Sequence, residues 1–320
     1  MKGRSVRRLL AIALALAVAV ALVAYISRNH RRIAELFSMG VPQLLAFAGL
    51  MVGSVAARGL VNKLFYREME ARIGLMEGAY LAVMNTYGNL VPFSGGLFAK
   101  GLYLKSRHSI GLSQYLPATI ALSIVFISVN GLMGLGALVW LSLRDSAAVP
   151  TMLYAAFATM TSGILLVWLP VGEWLPKRLR RMSKAIAQGW SILRLKPSLL
   201  VSMIILQMIH ALLIAVRLRV VFSTYSQQLS LVECVLVSAA TLLTRLFSIV
   251  PGGIGIREAI VGGLSTLLGM DFGLGLLAAS TDRLVALLFP LPLMALLYMR
   301  FSRTGGWHAA RRGLEDEEGA

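Results

Sequence analysis

Acid and sulfur are scarce in this chain. Its 320 residues include one cysteine, and Asp and Glu together number 14 against 31 Lys and Arg. Cys234 lies in an apolar run, so an intramolecular disulfide and a thiolate metal site are both excluded. The four histidines, His30, His108, His210 and His308, are too scattered to make ligand pairs. No P-loop, no Asp-x-Asp pair, no His-x-x-x-x-Asp pair and no nucleophile beside a base occurs. No nucleotide, metal or other cofactor is therefore expected. Charge of either sign is also thin, 14% of residues where a soluble domain carries about 25%. No stretch is polar enough to form a separate soluble domain.

What remains is apolar. Hydrophobic residues make up 58% of the chain and the mean hydropathy is +0.76, the composition of a polytopic all-α membrane protein. The net charge of +17 does not signal nucleic acid, because the basic residues sit in short runs between apolar segments, as cytoplasmic loops do. Eight apolar segments are legible. Leu9–Ile26 follows the basic start and is read as a retained first helix, since no small-x-small cleavage site follows it. Pro42–Val61 is a second span, with Gly49 and Gly53 at a spacing that permits close helix packing. Leu112–Leu141, Thr151–Leu169, Ser198–Val216 and Phe272–Met299 read as spans, the last bent by Pro290 and Pro292. Residues 173–197 place Leu175, Leu179, Met182, Ile186, Trp190 and Leu193 on one helical face, with basic residues mostly elsewhere. That pattern predicts a basic amphipathic helix on the cytoplasmic leaflet. The tail, 301–320, is polar and expected to be cytoplasmic.

Two segments, Leu75–Leu104 and Leu231–Leu268, are apolar but broken. If each crosses the bilayer once, Lys and Arg divide almost evenly between the two sides. If each dips in and returns, 22 fall inside, six outside and three, Arg245, Arg257 and Arg283, within the membrane. The positive-inside rule selects the second arrangement: about six spans plus two re-entrant broken-helix hairpins, with both termini cytoplasmic. The hairpins then enter from opposite faces. Their breaks are alike, Asn89-Leu90-Val91-Pro92 with Gly95-Gly96 against Ser248-Ile249-Val250-Pro251 with Gly252-Gly253. One membrane domain over 1–300, built as an inverted repeat of about 42–141 and 198–299 joined by 173–197, is the expected organisation.

The second break carries the chemistry. A Pro-Gly interruption frees backbone groups that lipid does not satisfy, and ionised side chains in hydrocarbon are costly. Past the break a short helix, Ile256–Leu268, would aim its free N–H groups and positive dipole end into a cavity. Gly252, Gly253 and Gly255 would let an anion approach the backbone, and Arg257 suits bidentate contact with phosphate or carboxylate. Glu258, Asp282, Arg283 and Arg245 lie at comparable depth, and Lys100, beside Gly95 and Gly96, is the cation of the first hairpin. These charges either face a ligand or pair with one another to lock helices, and both readings stay open here. The candidate headgroup site is Pro251, Gly252, Gly253, Gly255, Arg257, Glu258, Arg245, Asp282 and Arg283 with Gly95, Gly96 and Lys100.

The run Pro251-Gly252-Gly253-Ile254-Gly255-Ile256-Arg257-Glu258-Ala259 resembles the signature of a flippase-like membrane family. That family occurs as the transmembrane region of lysylphosphatidylglycerol synthases and as stand-alone proteins. The resemblance extends loosely over residues 10–300, and Arg283 falls where the family carries an arginine in its last helix. The first-half motif of the family is approximately Pro-x-Arg-x-Gly-Glu-x-x-Arg. Here Pro92, Gly96 and Lys100 fit, Ser94 replaces the arginine, Leu97 replaces the glutamate, and no charged pair stands near Ser123. The resemblance implies translocation of an anionic phospholipid or a polyprenyl-phosphate-linked lipid in the plasma (inner) membrane. Some relatives are linked to polyprenyl-phosphate sugar metabolism. The chain stops close to its last span, so the synthetase's soluble aminoacyl-transfer domain is expected to be absent and the chain itself not to be an enzyme. A non-catalytic partner of a lipid synthase and a lipid-linked transferase, with Glu258 or Asp282 as acid–base group, are the alternative readings.

Overall fold

A computed structural model describes residues 40–89, 95–145, 150–167, 189–242 and 255–302, and the described residues are helical without strands. The first apolar segment, most of the amphipathic stretch, the Pro92 and Pro251-Gly252-Gly253 breaks, Arg245 and the tail lie outside the described residues. In chain order the helices are α1 (Val41–Arg67), α2 (Leu75–Gly88), α3 (Gly95–His108), α4 (Leu112–Asp145) and α5 (Thr151–Ser162), which tightens into a 3₁₀ turn over Gly163–Val167. They continue with α6 (Pro197–Thr224), α7 (Leu231–Thr241), α8 (Ile256–Leu267), α9 (Phe272–Leu288) and α10 (Leu291–Ser302).

Local chemistry sets the helix boundaries. Pro42 and Pro197 open α1 and α6 at the first-turn position where a missing N–H is harmless. Ser230 and Glu233 form a reciprocal capping box on α7: Glu233 N–H donates to Ser230 Oγ at 3.3 Å and Ser230 N–H to Glu233 Oε2 at 2.6 Å. Asp271 accepts from Leu274 N–H at 3.0 Å and starts α9. The last apolar run breaks at Phe289–Pro290, as its prolines predict, into α9 and α10.

Four apolar stretches among the described residues are long enough to cross a membrane: Val41–Arg67, Leu112–Arg144, Pro197–Thr224 and Phe272–Phe301. The 27 residues of α1 and 28 of α6 extend well past the spans read from hydropathy. In α6 the cause is Arg217, which is turned inward and partnered, so a scan for an unbroken apolar run stops just before it; in α1 the scan passes Arg58 and stops ahead of Lys63 and Arg67, which the helix includes. Arg58 and Arg217, counted above with flanking loops, are residues of the helices themselves.

The buried apolar residues form two cores stacked end to end. The first gathers the C-terminal part of α1 (Phe65, Tyr66), Tyr80, Leu81 and Met84 of α2, Tyr103 and Leu104 of α3, the first half of α4, Met203 of α6 and Phe301 of α10. The second gathers Phe47 and Met51 of α1, Leu138 of α4, Phe157 of α5, the second half of α6, and α7, α8 and α9. The long helices α1, α4 and α6 pass through both. Each broken segment, by contrast, belongs to one core only. α1 and α6 run antiparallel: Met51 faces Arg217, Gly53 faces Leu213, and Arg58 faces Gln207 and His210.

Glycine permits the closest approaches, though not where its spacing on α1 suggested. Gly49 has open space around it, and a Cβ on Gly53 would touch only the Leu213 methyl groups at 3.4 Å. The tight crossing is α1 on α2, where a Cβ on Gly78 would strike the Gly59 carbonyl and one on Gly59 would lie 2.9 Å from Ala79 N. Gly49 is exposed on the outer face of α1, which is why its spacing has no partner there. The described end of the amphipathic stretch is helical over 189–195, and its apolar residues Trp190 and Leu193 are buried in the first core. That part of the apolar face packs on protein instead of lying on a leaflet.

Candidate functional site

Helix α9 carries the centre of the site. Asp282 is fully buried and accepts from two arginines at once: Arg217 of α6 donates Nε to Oδ1 at 2.6 Å and Nη2 to Oδ2 at 3.0 Å, and Arg257 Nη2 of α8 donates to Oδ2. The next residue, Arg283, places its Nε 3.0 Å from Glu258 Oε1. Three guanidinium groups and two carboxylates are thereby held between α6, α8 and α9, one positive charge in excess. Arg217 also reaches α1, with Nη1 2.9 Å from Met51 Sδ.

The local fold explains why Arg257 and Glu258 arrive here. Gly255, with φ of +86°, turns the chain into α8 in a conformation that L side chains rarely adopt. Its N–H donates to Glu258 Oε2 at 2.8 Å, so Glu258 closes the start of its own helix. A carboxylate already sits at the positive end of α8, where the sequence suggested free N–H groups facing a cavity. On the other side, α8 presses against α9 through Gly262 and Gly275, where an added Cβ on Gly275 would lie 2.9 Å from Gly262 Cα. That close approach brings the first turn of α8 level with Asp282 and Arg283.

The first broken segment reaches α9 from the opposite core. α2 and α3 are antiparallel, with Gly88 against Gly96 at the break. At their open end the Tyr103 hydroxyl donates to Glu77 Oε1 at 2.8 Å, His108 Nε2 lies 2.8 Å from the same oxygen and Arg107 Nε 3.0 Å from it. At the broken end, the Tyr87 hydroxyl donates to the Leu287 carbonyl of α9 at 2.6 Å. Leu287 is about one helical turn, ~6 Å, from Arg283. Both broken segments therefore contact α9, over residues 282–287, about a turn and a half.

The residues singled out from sequence divide in three. Gly255, Arg257, Glu258, Asp282 and Arg283 come together. Lys100 does not join them: it donates to Asn62 Oδ1 at 2.7 Å and stands 4.9 Å over the Tyr66 ring, inside the first core. Gly96 lies against the α2 backbone, its Cβ position 2.8 Å from Asn89 Oδ1, and Gly95 adjoins it at the same crossing. Pro251, Gly252, Gly253 and Arg245 lie outside the described residues. Sequence reasoning missed Arg217, Arg58, Glu77 and His210. A helical reading extended through Thr224 would have put Arg217 about two turns inside the helix end, the one signal available for it.

A family model described as the lysylphosphatidylglycerol synthase TM region matches residues 10–293. The chain belongs to that family. This synthase-type transmembrane region is a multi-pass helical membrane domain connected with lipid handling, and the charged cluster on α9 falls within the matched residues. No curated protein and no solved structure matches the chain.

Proposed function

We propose that this synthase-type transmembrane region moves an anionic phospholipid or a polyprenyl-phosphate-linked lipid between leaflets, the headgroup held where two re-entrant hairpins meet. The observation that carries the reading is the buried cluster on α9, with Arg217, Arg257 and Arg283 against Asp282 and Glu258. An intramembrane cluster with one surplus positive charge attracts an anion, and Arg257, whose side chain is 18% exposed, is its most accessible cation.

Helix lengths support the hairpins. α2 and α3 have 14 residues each, about 21 Å, and α7 and α8 have 11 and 12. None spans about 30 Å of hydrocarbon alone. Each pair stays within one of the two stacked cores, which fits entry from opposite faces. Long helix, broken pair, long helix recurs as α1, α2–α3, α4 and as α6, α7–α8, α9–α10. That order supports an inverted repeat of about 42–141 and 198–299 within a single domain with six spans; cytoplasmic termini in a plasma-membrane protein are favoured only by the Lys and Arg distribution along the sequence. The headgroup would exchange at Arg257 while the acyl tails stay in lipid.

A leaflet-accessibility assay tests this. Proteoliposomes with labelled phosphatidylglycerol should equilibrate the lipid between leaflets faster than empty liposomes. Arg257→Ala should slow this by about tenfold, the worth of roughly one charge-assisted hydrogen bond. Equal rates for wild type, Arg257→Ala and empty liposomes would remove the proposal.

A further inference from the structure

Half-way along the α1–α6 contact, polar side chains converge on a cavity that the charged cluster does not include. Arg58 comes from α1, Asn130 from α4, Gln207 and His210 from α6, and Ser238 and Thr241 from α7. It encloses about 30 Å³, room for one or two waters. Its place is the seam between the two cores: on α4, Val129 belongs to the first and Ala137 to the second, and on α6 the same holds for Met203 and Ala215. A polar layer that includes an arginine, midway along apolar helices, is the kind of feature that marks a substrate route through hydrocarbon.

The cavity is the middle of a longer line. On α1, Ser54, Arg58 and Asn62 recur every four residues and so share a face. On α6, Gln207, His210 and Arg217 are all buried and fall on one face three and seven residues apart. Because the helices are antiparallel and these faces oppose, polar groups recur from Lys100 on Asn62, past Arg58 and Ser54, to Arg217 and its Asp282–Arg257 partners, with Leu213 and Ile214 between the cavity and Arg217. Met51 and Asn62, level with the two ends, are eleven residues apart on α1, about 16 Å. That is roughly half the hydrocarbon thickness. A cation stands at each end and one in the middle.

We propose that this line is the route of a lipid-borne phosphate between the two hairpins, and that the Arg58–His210 cavity is a phosphate-binding station at half depth. The proposal rests on the reading of the chain as an anionic-lipid translocator and adds an intermediate site to it. Arg58 offers guanidinium donors that fit a phosphate, and the Gln207 amide and the second Nδ2 proton of Asn130 offer neutral ones, while the Ser238 and Thr241 hydroxyls donate to the Val235 and Ser238 carbonyls of their own helix. One cation among neutral donors holds an anion without trapping it, the condition for passage through successive sites. In the closed arrangement the cavity admits only water, so the phosphate enters when the cores part along their seam.

Photocapture in the full chain tests the station. Benzoylphenylalanine replaces Ile214, which lines the cavity, in liposomes of phosphatidylglycerol and phosphatidylcholine. Capture should favour phosphatidylglycerol by about tenfold, disappear in Arg58→Gln and return in Arg58→Lys. Ser238→Leu, which fills the cavity without touching a charge, should abolish capture and guards against misfolding of the arginine variant. Equal capture of the two lipids, capture of neither, or undiminished capture in Ser238→Leu overturns the proposal. So does a cavity that takes inorganic phosphate in pure phosphatidylcholine, read by phosphorus-31 line broadening, yet captures no phosphatidylglycerol. Capture reads occupancy, not movement. If wild-type proteoliposomes exchange lipid no faster than empty ones while selective capture persists, the translocator reading falls and the station stands. If Arg58→Gln exchanges lipid at the wild-type rate, the station falls and the translocator reading stands.

Discussion

Asp282 is the residue on which the charged cluster depends. It has no exposure and answers two arginines, so its removal leaves Arg217, itself 5% exposed, as a buried charge without a partner. Asp282→Asn should lower stability by about 3–5 kcal/mol, seen as an earlier thermal unfolding transition in detergent. The double variant Arg217→Met/Asp282→Asn should lose less than the single one, because the stranded charge goes with its partner. Equal transitions for Asp282→Asn and wild type would show that the ion pairs do not support the fold. At this scale the sequence was partly legible. Arg257, Glu258, Asp282 and Arg283 stand beside a glycine break or inside an apolar run, where charge is conspicuous. Arg217 and Arg58 stand near the ends of such runs, where a hydropathy reading assigns charges to loops. Only the antiparallel contact of α1 with α6 shows that both face inward.

Among elements, the crossing of α1 over α2 has the least slack. Asn62 Nδ2 donates to the Gly78 carbonyl at 2.8 Å across it, and the same Asn62 holds Lys100, so one residue ties α1, α2 and α3 together. Gly78→Ala would drive a methyl group into the Gly59 backbone, which has no rotamer to escape by. It should cost about 1–3 kcal/mol in the same unfolding measurement, whereas Gly49→Ala, with open space around it, should be within about 0.5 kcal/mol of wild type. The broken segments were visible from their Asn, Pro and Gly content. Their packing partners were not, since Gly49-x-x-x-Gly53 is the better small-residue motif on paper, yet Gly49 is exposed and Gly53 meets only the Leu213 side chain. Which face of a helix is covered depends on neighbours far along the chain, and local spacing does not carry that information. The Glu77 clamp escaped notice for the same reason: its partners Tyr103, Arg107 and His108 are one helix further on.

For the whole molecule, two broken pairs sit in separate cores and touch neighbouring turns of α9, one through Tyr87 and Leu287 and the other through Arg257, Glu258, Asp282 and Arg283. A site reached from both ends of the membrane needs that opposition, and an ordinary bundle of eight crossings would not provide it. Accessibility of single cysteines decides between them most directly. In a Cys234→Ala background, Glu70→Cys and Ser109→Cys flank the α2–α3 pair, while Ser226→Cys and Met270→Cys flank α7 and α8. With a membrane-impermeant maleimide applied to sealed vesicles of known orientation, the account predicts that positions 70 and 109 label only from the cytoplasmic side and positions 226 and 270 only from the other. Labelling of 70 and 109 from opposite sides, or of 226 and 270 from opposite sides, would contradict it.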